Sequence, residues 1–491
     1  MGRFAYLAGL LLGMVLVSSA AHAQTQLRVA TWNVTNYSSG RVAEFQTAIY
    51  GEFEGRSMSP DIIVGQEFLS VTGVINFLSI LNTAPGSPGD WAGAAFVDGP
   101  DTDSAFFYRT SVVQLARELS PNGVTVVATG GVSPNHPRNI MRYDVQVAAG
   151  TSAETRMAIY SSHMKSGSSS DDLARRLLEA QRIRDDAEAL PEGWHFLLGG
   201  DFNIPTWTQA AYQELVGSQV NNDGRFFDPI STPGSWQNNP SFVIVHTQDP
   251  ALQMDDRYDQ ILVSAGLVDG LNLDYIGEPS IPYSTITWDD PLHSYRSWGN
   301  DGTSYDTVLT TAGNEMVGET IAQALVDSAS GQGHLPVFLD LRVPPCLGDV
   351  ECDGDTDQDD FVEFANCLNS PPAAPSQFCL DYFDFDENGD VDCADWDTFR
   401  TFWTGPPEEP PAMPQCDCVC GDLDGDGGNV DLADFSSFAL CFGMPAPSAE
   451  CPADLFTCAD LDQNGGIDLA DFGTFALGFG LSSTNAPPNC P

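Results

Sequence analysis

The sequence predicts a layered α/β domain followed by small helical modules, and three observations carry that prediction. Short apolar, β-rich runs alternate with helical patterns as far as Pro345. Beyond it the texture changes to Asp, Gly, Cys and Phe, in a unit that recurs four times. All 12 cysteines lie from Cys346 onward, so the first part must stand on its own apolar core.

The chain opens Met1-Gly2-Arg3, continues with an apolar run from Phe4 to Val17, and reaches small residues at Ala21-His22-Ala23. A basic start, a short apolar stretch and an A-x-A site predict a secretory signal peptide over residues 1–23. The run is short for a bilayer span, and no later segment approaches that length, so no transmembrane segment is expected after cleavage. The expected location is extracellular, or cell-surface through the tail. Export also predicts that the tail cysteines form disulfides, and their even number fits full pairing. The C-x-C-x-C run at Cys416, Cys418 and Cys420 reads as part of that framework rather than as a zinc cluster.

In the domain spanning 27–343, strands are expected at Leu27–Trp32, Ile62–Gly65, Ala105–Tyr108, Met157–Ser161, Phe196–Gly199, Gln260–Val263 and Val337–Leu341. Asp171 to Leu190 reads as an amphipathic helix, with Leu173, Leu177, Leu178 and Ile183 near one face and arginines on the other. A first pair of repeats follows at 346–404, then a stiff Pro- and Glu-rich linker at 405–415, then a second pair at 416–491.

The net charge is −49, Lys165 is the single lysine, and Arg400 is the only basic residue after Pro345. Such a surface repels polyanions and attracts divalent cations, which counts against a basic-groove nucleic-acid binder.

Each acidic unit places oxygen-bearing side chains at alternate loop positions. The first runs Asp349, Glu351, Asp353, Asp355, Asp357, Asp360, and the second Asp384, Asp386, Asn388, Asp390, Asp392, Asp395. The third runs Asp422, Asp424, Asp426, Asp431, Asp434 with one extra residue near Gly427-Gly428-Asn429, and the fourth Asp460, Asp462, Asn464, Gly466, Asp468, Asp471. Calcium takes six to eight oxygens, and a tight loop with acids at positions 1, 3, 5, 9 and 12 supplies them, the seventh position serving through its carbonyl. Each loop is followed by an aromatic pair three residues apart: Phe361 and Phe364, Trp396 and Phe399, Phe435 and Phe438, Phe472 and Phe475. That spacing sets both rings on one face of a helix that starts as the loop ends. The pattern resembles dockerin type I repeats, whose loops close on Asp rather than Glu. The resemblance implies Ca2+-binding small all-α modules and an anchoring role toward a cohesin-like scaffold or a cell-surface partner. Four loops instead of two, and the cysteines Cys367 and Cys441, depart from the usual module.

Six segments of the first domain end an apolar strand in polar or titratable groups: Leu27–Asn33, Asp61–Glu67, Tyr160–Gly167 through His163, Leu197–Asn203 through Asp201, Arg257–Val263 through Asp259, and Gly333-His334-Leu335-Pro336-Val337. Strand ends that meet at one rim form a pocket. In this order the segments, with Ser297–Asp301, resemble the endonuclease/exonuclease/phosphatase superfamily of secreted bacterial type, whose fold is that of pancreatic-type deoxyribonuclease. The resemblance spans nearly all of 27–343 and implies an α/β (α+β) four-layer sandwich with two central sheets.

It also implies metal-dependent hydrolysis of a phosphoester. Glu67 is then the expected ligand of Mg2+ or Mn2+, with Asn33 beside it. Asp201 and Asn203 would orient or deprotonate the attacking water. His334 would be an acid/base or phosphate donor, with Asp259 fixing its tautomer, and His163 a partner acid across the phosphate. Tyr108 and Arg138 match positions that hold the phosphate. His136, His195, His246 and His293 lack motif context and read as surface or satisfied core residues. The family usually carries Asp before the last His, where this chain has Gly333. A weaker site, a single-metal site completed elsewhere and a degenerate, non-catalytic binding protein all remain open. Export and the His163-Met-Lys-Ser-Gly pattern favour an extracellular nuclease. The acidic charge favours a sphingomyelinase- or inositol-phosphate-type esterase acting on a phospholipid or sugar phosphate, and the nuclease ranks first of the two.

Overall fold

The computed structural model describes residues 26–147, 155–329 and 331–343, then 346–350, 355–368 and parts of 375–481. The chain divides into two compact units, one essentially 24–346 and the other 347–491. The expected signal peptide lies outside the described residues. So do the loop residues Glu351, Asp353, Asp386, Asn388, Asp390, Asp392, Asp422, Asp424, Asp426 and Asp462, and the run Cys416, Cys418 and Cys420.

The first unit is a mixed α/β fold built on two seven-stranded sheets. One contains β1 (Gln26–Tyr37), β2 (Ile62–Phe68), β3 (Trp91–Gly93), β4 (Asp103–Arg109), β12 (Asp274–Tyr275), β13 (Arg296–Ser297) and β14 (Val337–Arg342), in the order β12-β14-β1-β2-β4-β3, with β13 beside β14. The other contains β5 (Val113–Leu115), β6 (Val124–Ala128), β7 (Ile140–Val147), β8 (Arg156–His163), β9 (His195–Asp201), β10 (Phe226–Phe227) and β11 (Asp259–Ser264), in the order β10-β11-β9-β8-β7-β5, with β6 beside β7.

Period-two alternation stacks the layers. Leu27, Val29, Ile62 and Val64 of one sheet pack against Met157, Ile159, Leu197 and Ile261 of the other. The alternate residues Ala30, Trp32 and Ile63 face α1 (Val42–Tyr50), α2 (Val71–Thr83) and α5 (Gly318–Ala329). Ala158, Tyr160 and Leu198 face α3 (Ser170–Ala187) and α4 (Ala210–Val216). Where β1 crosses β9, Gly199 lets the sheets touch: a Cβ there would lie 3.1 Å from that of Thr31.

Helix α3 corrects the expected face assignment. Leu173 is exposed, whereas Arg176, Glu179 and Arg184 are among its buried residues. The guanidinium of Arg184 reaches the carbonyls of Glu214 and Gly217 at 2.7 Å, so donors on the buried face are answered by loop backbone.

In the tail, α6 (Gln358–Leu368), α7 (Gln377–Phe383) and α8 (Cys393–Phe402) enclose one small core, and α9 (Leu432–Cys441), α10 (Ala453–Ala459) and α11 (Leu469–Gly478) another. Copies pair one with two and three with four. Phe364 stacks on Phe399 at 4.7 Å and Phe438 on Phe475 at 5.1 Å. Disulfides Cys367–Cys379 and Cys441–Cys451 close the connections within each pair. The last aspartate of each loop is buried as a staple. Asp360 accepts the N–H groups of Val350 (2.6 Å) and Asp357 (2.8 Å). Asp434 accepts those of Leu423 and Asp431, both at 2.7 Å. Asp355, Asp357 and Asp360 bring carboxylate oxygens within 4.8 Å of one another, as a cation site requires.

Candidate functional site

Strand register assembles the site. In β8 and β9, His163 lies opposite Asp201, and in β9 and β11 Asp201 lies opposite Asp259, so three polar side chains form one row across adjacent strands. All three keep the parity of the residues that face between the sheets, as does Asn33 at the same end of β1. Strand β14 runs antiparallel to β1, which brings His334, three residues before its start, to the same rim. Glu67 (φ +64°) and Asn203 (φ +52°) hold left-handed conformations just where the chain turns away from the sheets. Non-glycine residues in that region cost on the order of 1–3 kcal/mol and cluster at functional sites.

The contacts are short. The Asn33 amide donates to Glu67 Oε1 at 3.0 Å and to Asp201 Oδ2 at 3.2 Å, and its oxygen accepts the Thr35 N–H. His163 Nε2 lies 3.3 Å from Asp201 Oδ2, and its Nδ1 lies 3.8 Å from Glu67 Oε1. His334 Nε2 is 3.7 Å from the same Asp201 oxygen, and its Nδ1 meets Asp259 Oδ2 at 2.7 Å. Asn203 supports the turn: its N–H donates to Asp201 Oδ1 (3.0 Å) and its amide to the Met164 carbonyl (3.2 Å). Arg138, just before β7, donates to the His163 carbonyl at 3.4 Å.

Burial and these charges divide the titrations. Burial disfavours the His334 imidazolium, but Asp259 and Asp201 outweigh it and raise its pKa to about 10. His163 is pushed well below 6.5 by burial, then by Arg138 and His334. A neutral imidazole at ordinary pH suits hydrogen bonding or metal ligation, not the partner-acid role expected of it. Burial raises Asp201 to about 6, against the pull of His334.

Tyr108 is not brought to this site. It pairs with Ile62 at the start of β2, whereas Glu67 stands at the far end of that strand, so the phosphate-holding role expected of Tyr108 is withdrawn. Among the other histidines, His136, His246 and His293 are buried against the carbonyls of Arg138, Trp236 and Ile281, and His195 is half-buried.

Gly333 has a physical reason. A Cβ there would lie 2.2 Å from the Ala329 carbonyl at the end of α5, so no side chain fits. Sequence reading missed the hairpin on the other side of His334. Gln248 bridges to His334, its amide 3.5 Å from Nε2, and Thr247 Oγ1 donates to Asp259 at 2.7 Å. Next to them Asp249, raised to about 6 by burial and by Asp255 and Asp259 against His334, has a buried Oδ1 with no hydrogen-bond partner. The apolar run Phe242–Val245 ending in His246-Thr247-Gln248-Asp249 carries the same strand-end signature as the six chosen segments.

A divalent cation fits this donor set. Two carboxylates converge on one amide, and His163 Nδ1 is buried beside Glu67 without a hydrogen-bond partner. Asn33 would ligate through oxygen only with its amide turned over.

No family model and no curated protein matches the chain. Solved structures do resemble it. An endonuclease/exonuclease/phosphatase from Bacteroides vulgatus is 13% identical, with 65% of this chain and 100% of that one covered, at a TM-score of 0.39. A Bacteroides thetaiotaomicron protein of the same family is 17% identical, covering 65% and 98%, at 0.36. A humanized D. rerio TDP2 is 12% identical, covering 65% and 100%, at 0.36. At these scores the functional reading rests on the geometry of the chain itself.

Proposed function

We propose that the first unit is a divalent-metal-dependent phosphoester hydrolase. The observation that carries this is the pair of carboxylates, Glu67 and Asp201, bridged by one amide and flanked within 4 Å by two imidazoles, one of them buttressed by the buried Asp259. Magnesium or manganese held by Glu67, with His163 or Asn33, would supply a positive field that neutralises the phosphoryl charge. Asp201, mostly ionised at neutral pH, takes the proton of the attacking water, and Asn203 fixes that carboxylate through its N–H. His334, held protonated, donates to a phosphoryl oxygen as negative charge grows there; the P–O bond to the alcohol breaks as the water oxygen bonds to phosphorus, and the alcohol leaves with the proton that Asp201 took up. Arg138 holds a remaining phosphoryl oxygen, joined by neutral His163 where Asn33 rather than His163 is the second metal ligand. We further infer that the tail binds Ca2+ through its acidic loops.

The test is hydrolysis of bis-(p-nitrophenyl) phosphate by the full chain with Mg2+, Mn2+ or Ca2+, and with chelator. Glu67→Ala and His334→Ala are expected to lower kcat by about 10²-fold or more. Activity that survives chelation or either substitution would defeat the proposal.

A further inference from the structure

Around the site, Arg41, Arg138, Lys165 and Arg176 are already answered. Arg138 Nη2 lies 3.3 Å from Asp101 Oδ2, and its Nε donates to Thr102 Oγ1 at 3.2 Å. Lys165, two residues past His163, is paired with Asp172 at 2.8 Å. Arg176 is buried and donates to the carbonyls of Lys165 and Gly167. Arg41 donates to the carbonyls of Ser328 and Thr35.

The carboxylates there are in excess. Asp98 shares a loop with Asp101, and Asp103 opens β4 where that loop ends; Asp103 is pushed up to about 6 by burial and by those two neighbours. Across the site Asp249 and Asp256 sit on the hairpin beside His334, and Asp256 is pushed up to about 7 by burial and by Asp255 and Asp249. Burial is the main reason these carboxyls resist ionising, and the crowding of acids on both sides of the site adds to it.

We propose that this mouth selects a compact phosphoester whose phosphate is its only strong charge, and that Asp101, by pairing with Arg138, is the residue that sets this specificity. The inference rests on the phosphoesterase reading above and narrows its substrate. A polynucleotide needs a free cation for each phosphate it rests on, and the second phosphate of such a chain would meet Asp101 or the Asp249 hairpin instead. A single phosphate entering the pocket has only to displace one carboxylate from Arg138. Asp101 is 46% exposed, so Asp101→Asn removes the charge and leaves the packing in place.

The experiment follows bis-(p-nitrophenyl) phosphate hydrolysis by the full chain at fixed Mg2+ or Mn2+. Thymidine dinucleotide and an oligothymidylate of about twenty residues serve as competitors, with inhibition constants expressed per phosphate. The wild type is expected to bind the oligomer no more tightly than the dinucleotide. Oligomer binding should hold or strengthen as KCl rises about tenfold, because salt screens repulsion. Asp101→Asn should tighten the oligomer roughly tenfold and the dinucleotide about twofold. A wild-type oligomer constant about tenfold tighter per phosphate, weakening steeply with salt, would overturn the inference while leaving the phosphoesterase reading intact. No hydrolysis with any metal would instead refute that reading, and the inference with it. The wild-type salt series decides the matter even if the variant misfolds.

Discussion

His334 Nδ1 lies 2.7 Å from Oδ2 of Asp259, a residue buried completely on β11. Thr247 Oγ1 donates to that same oxygen at 2.7 Å, so the carboxylate is held from two sides. The pair fixes the ring with its Nδ1 proton toward Asp259 and Nε2 toward Asp201.

Asp259→Asn keeps the shape and removes the charge. The new amide can turn its NH2 toward Nδ1, which selects the other tautomer and lets His334 lose its proton near neutrality. We expect kcat to fall by about 10²–10⁴-fold, the range seen when a histidine loses its orienting carboxylate. KM and metal affinity should change little. Steady-state hydrolysis of bis-(p-nitrophenyl) phosphate and Mn2+ titration check the two halves separately.

Glu179 on α3 gives a pH signature away from the metal-binding donors. Its carboxylate accepts the Lys165 N–H at 2.9 Å, yet burial pushes its pKa up to about 8, against Arg138, Arg176 and Arg175. A carboxyl whose folded pKa lies above its ordinary value of 4.5 favours folding while protonated. That contribution is complete below pH 4.5 and is lost as the pH rises through about 8. Glu179→Gln can still accept from Lys165 N–H without ever charging. The variant should match the wild type near pH 4 and exceed its Tm by roughly 5 °C at pH 8–9. Thermal unfolding across that range decides the matter, and a variant less stable at pH 9 would contradict it.

The sequence made the strand ends legible because each closes an apolar, alternating run. Asn33, His163, Asp201 and Asp259 therefore fall on one face by parity alone. Strand β7 was hidden, although nearly all of it is buried, because Arg142 and Asp144 interrupt its apolar pattern. The two pair at 2.8 Å, and Arg142 also reaches Asp186 of α3 at 2.6 Å, an arrangement with no sequence period. The buried arginines of α3 follow no sequence period for a related reason: their partners are loop carbonyls, of Lys165 and Gly167 just before the helix for Arg176 and of Glu214 and Gly217 for Arg184. Tyr108 was misplaced because a strand's composition does not say which end meets the pocket, and only the antiparallel pairing with β2 decides it.

Gly333 is a packing requirement rather than a lost carboxylate waiting to be restored. The Ala329 Cα and Cβ both lie 2.5 Å from where its Cβ would stand, in addition to the carbonyl. Gly333→Ala is expected to cost about 1–3 kcal/mol, as overpacking does, and Gly333→Asp at least as much. Since Trp32 Nε1 donates to the His334 carbonyl at 3.0 Å, the shift would be felt at the imidazole. Urea denaturation should show the loss. Gly333→Asp should also lower kcat, the opposite of what restoring a missing metal ligand would do.

The tail offers a separate prediction, because the position-12 aspartates serve two ends. Asp471 is fully buried, its Oδ2 accepts the Asp468 N–H at 2.7 Å, and Asp468 in turn caps α11 by accepting from Ala470 N. Loop formation and helix initiation thus share one carboxylate, so a cation that draws the loop together also stabilises the aromatic core of Phe438 and Phe475. Calcium added at about a hundred times its Kd should raise the stability of the folded tail by roughly 2.7 kcal/mol per independent site. Asp471→Ala should remove one calcium from the stoichiometry measured by titration calorimetry on the full chain. It should also cost about 1 kcal/mol or more in the absence of calcium, because the Asp468 N–H loses its acceptor in the capping box. Phe475→Ala separates the two effects: it should destabilise the pair by about 3–5 kcal/mol while leaving every loop oxygen in place. A calcium stoichiometry unchanged by Asp471→Ala would show that this aspartate is only a staple, and that the cation, if bound, takes its oxygens from the earlier loop positions.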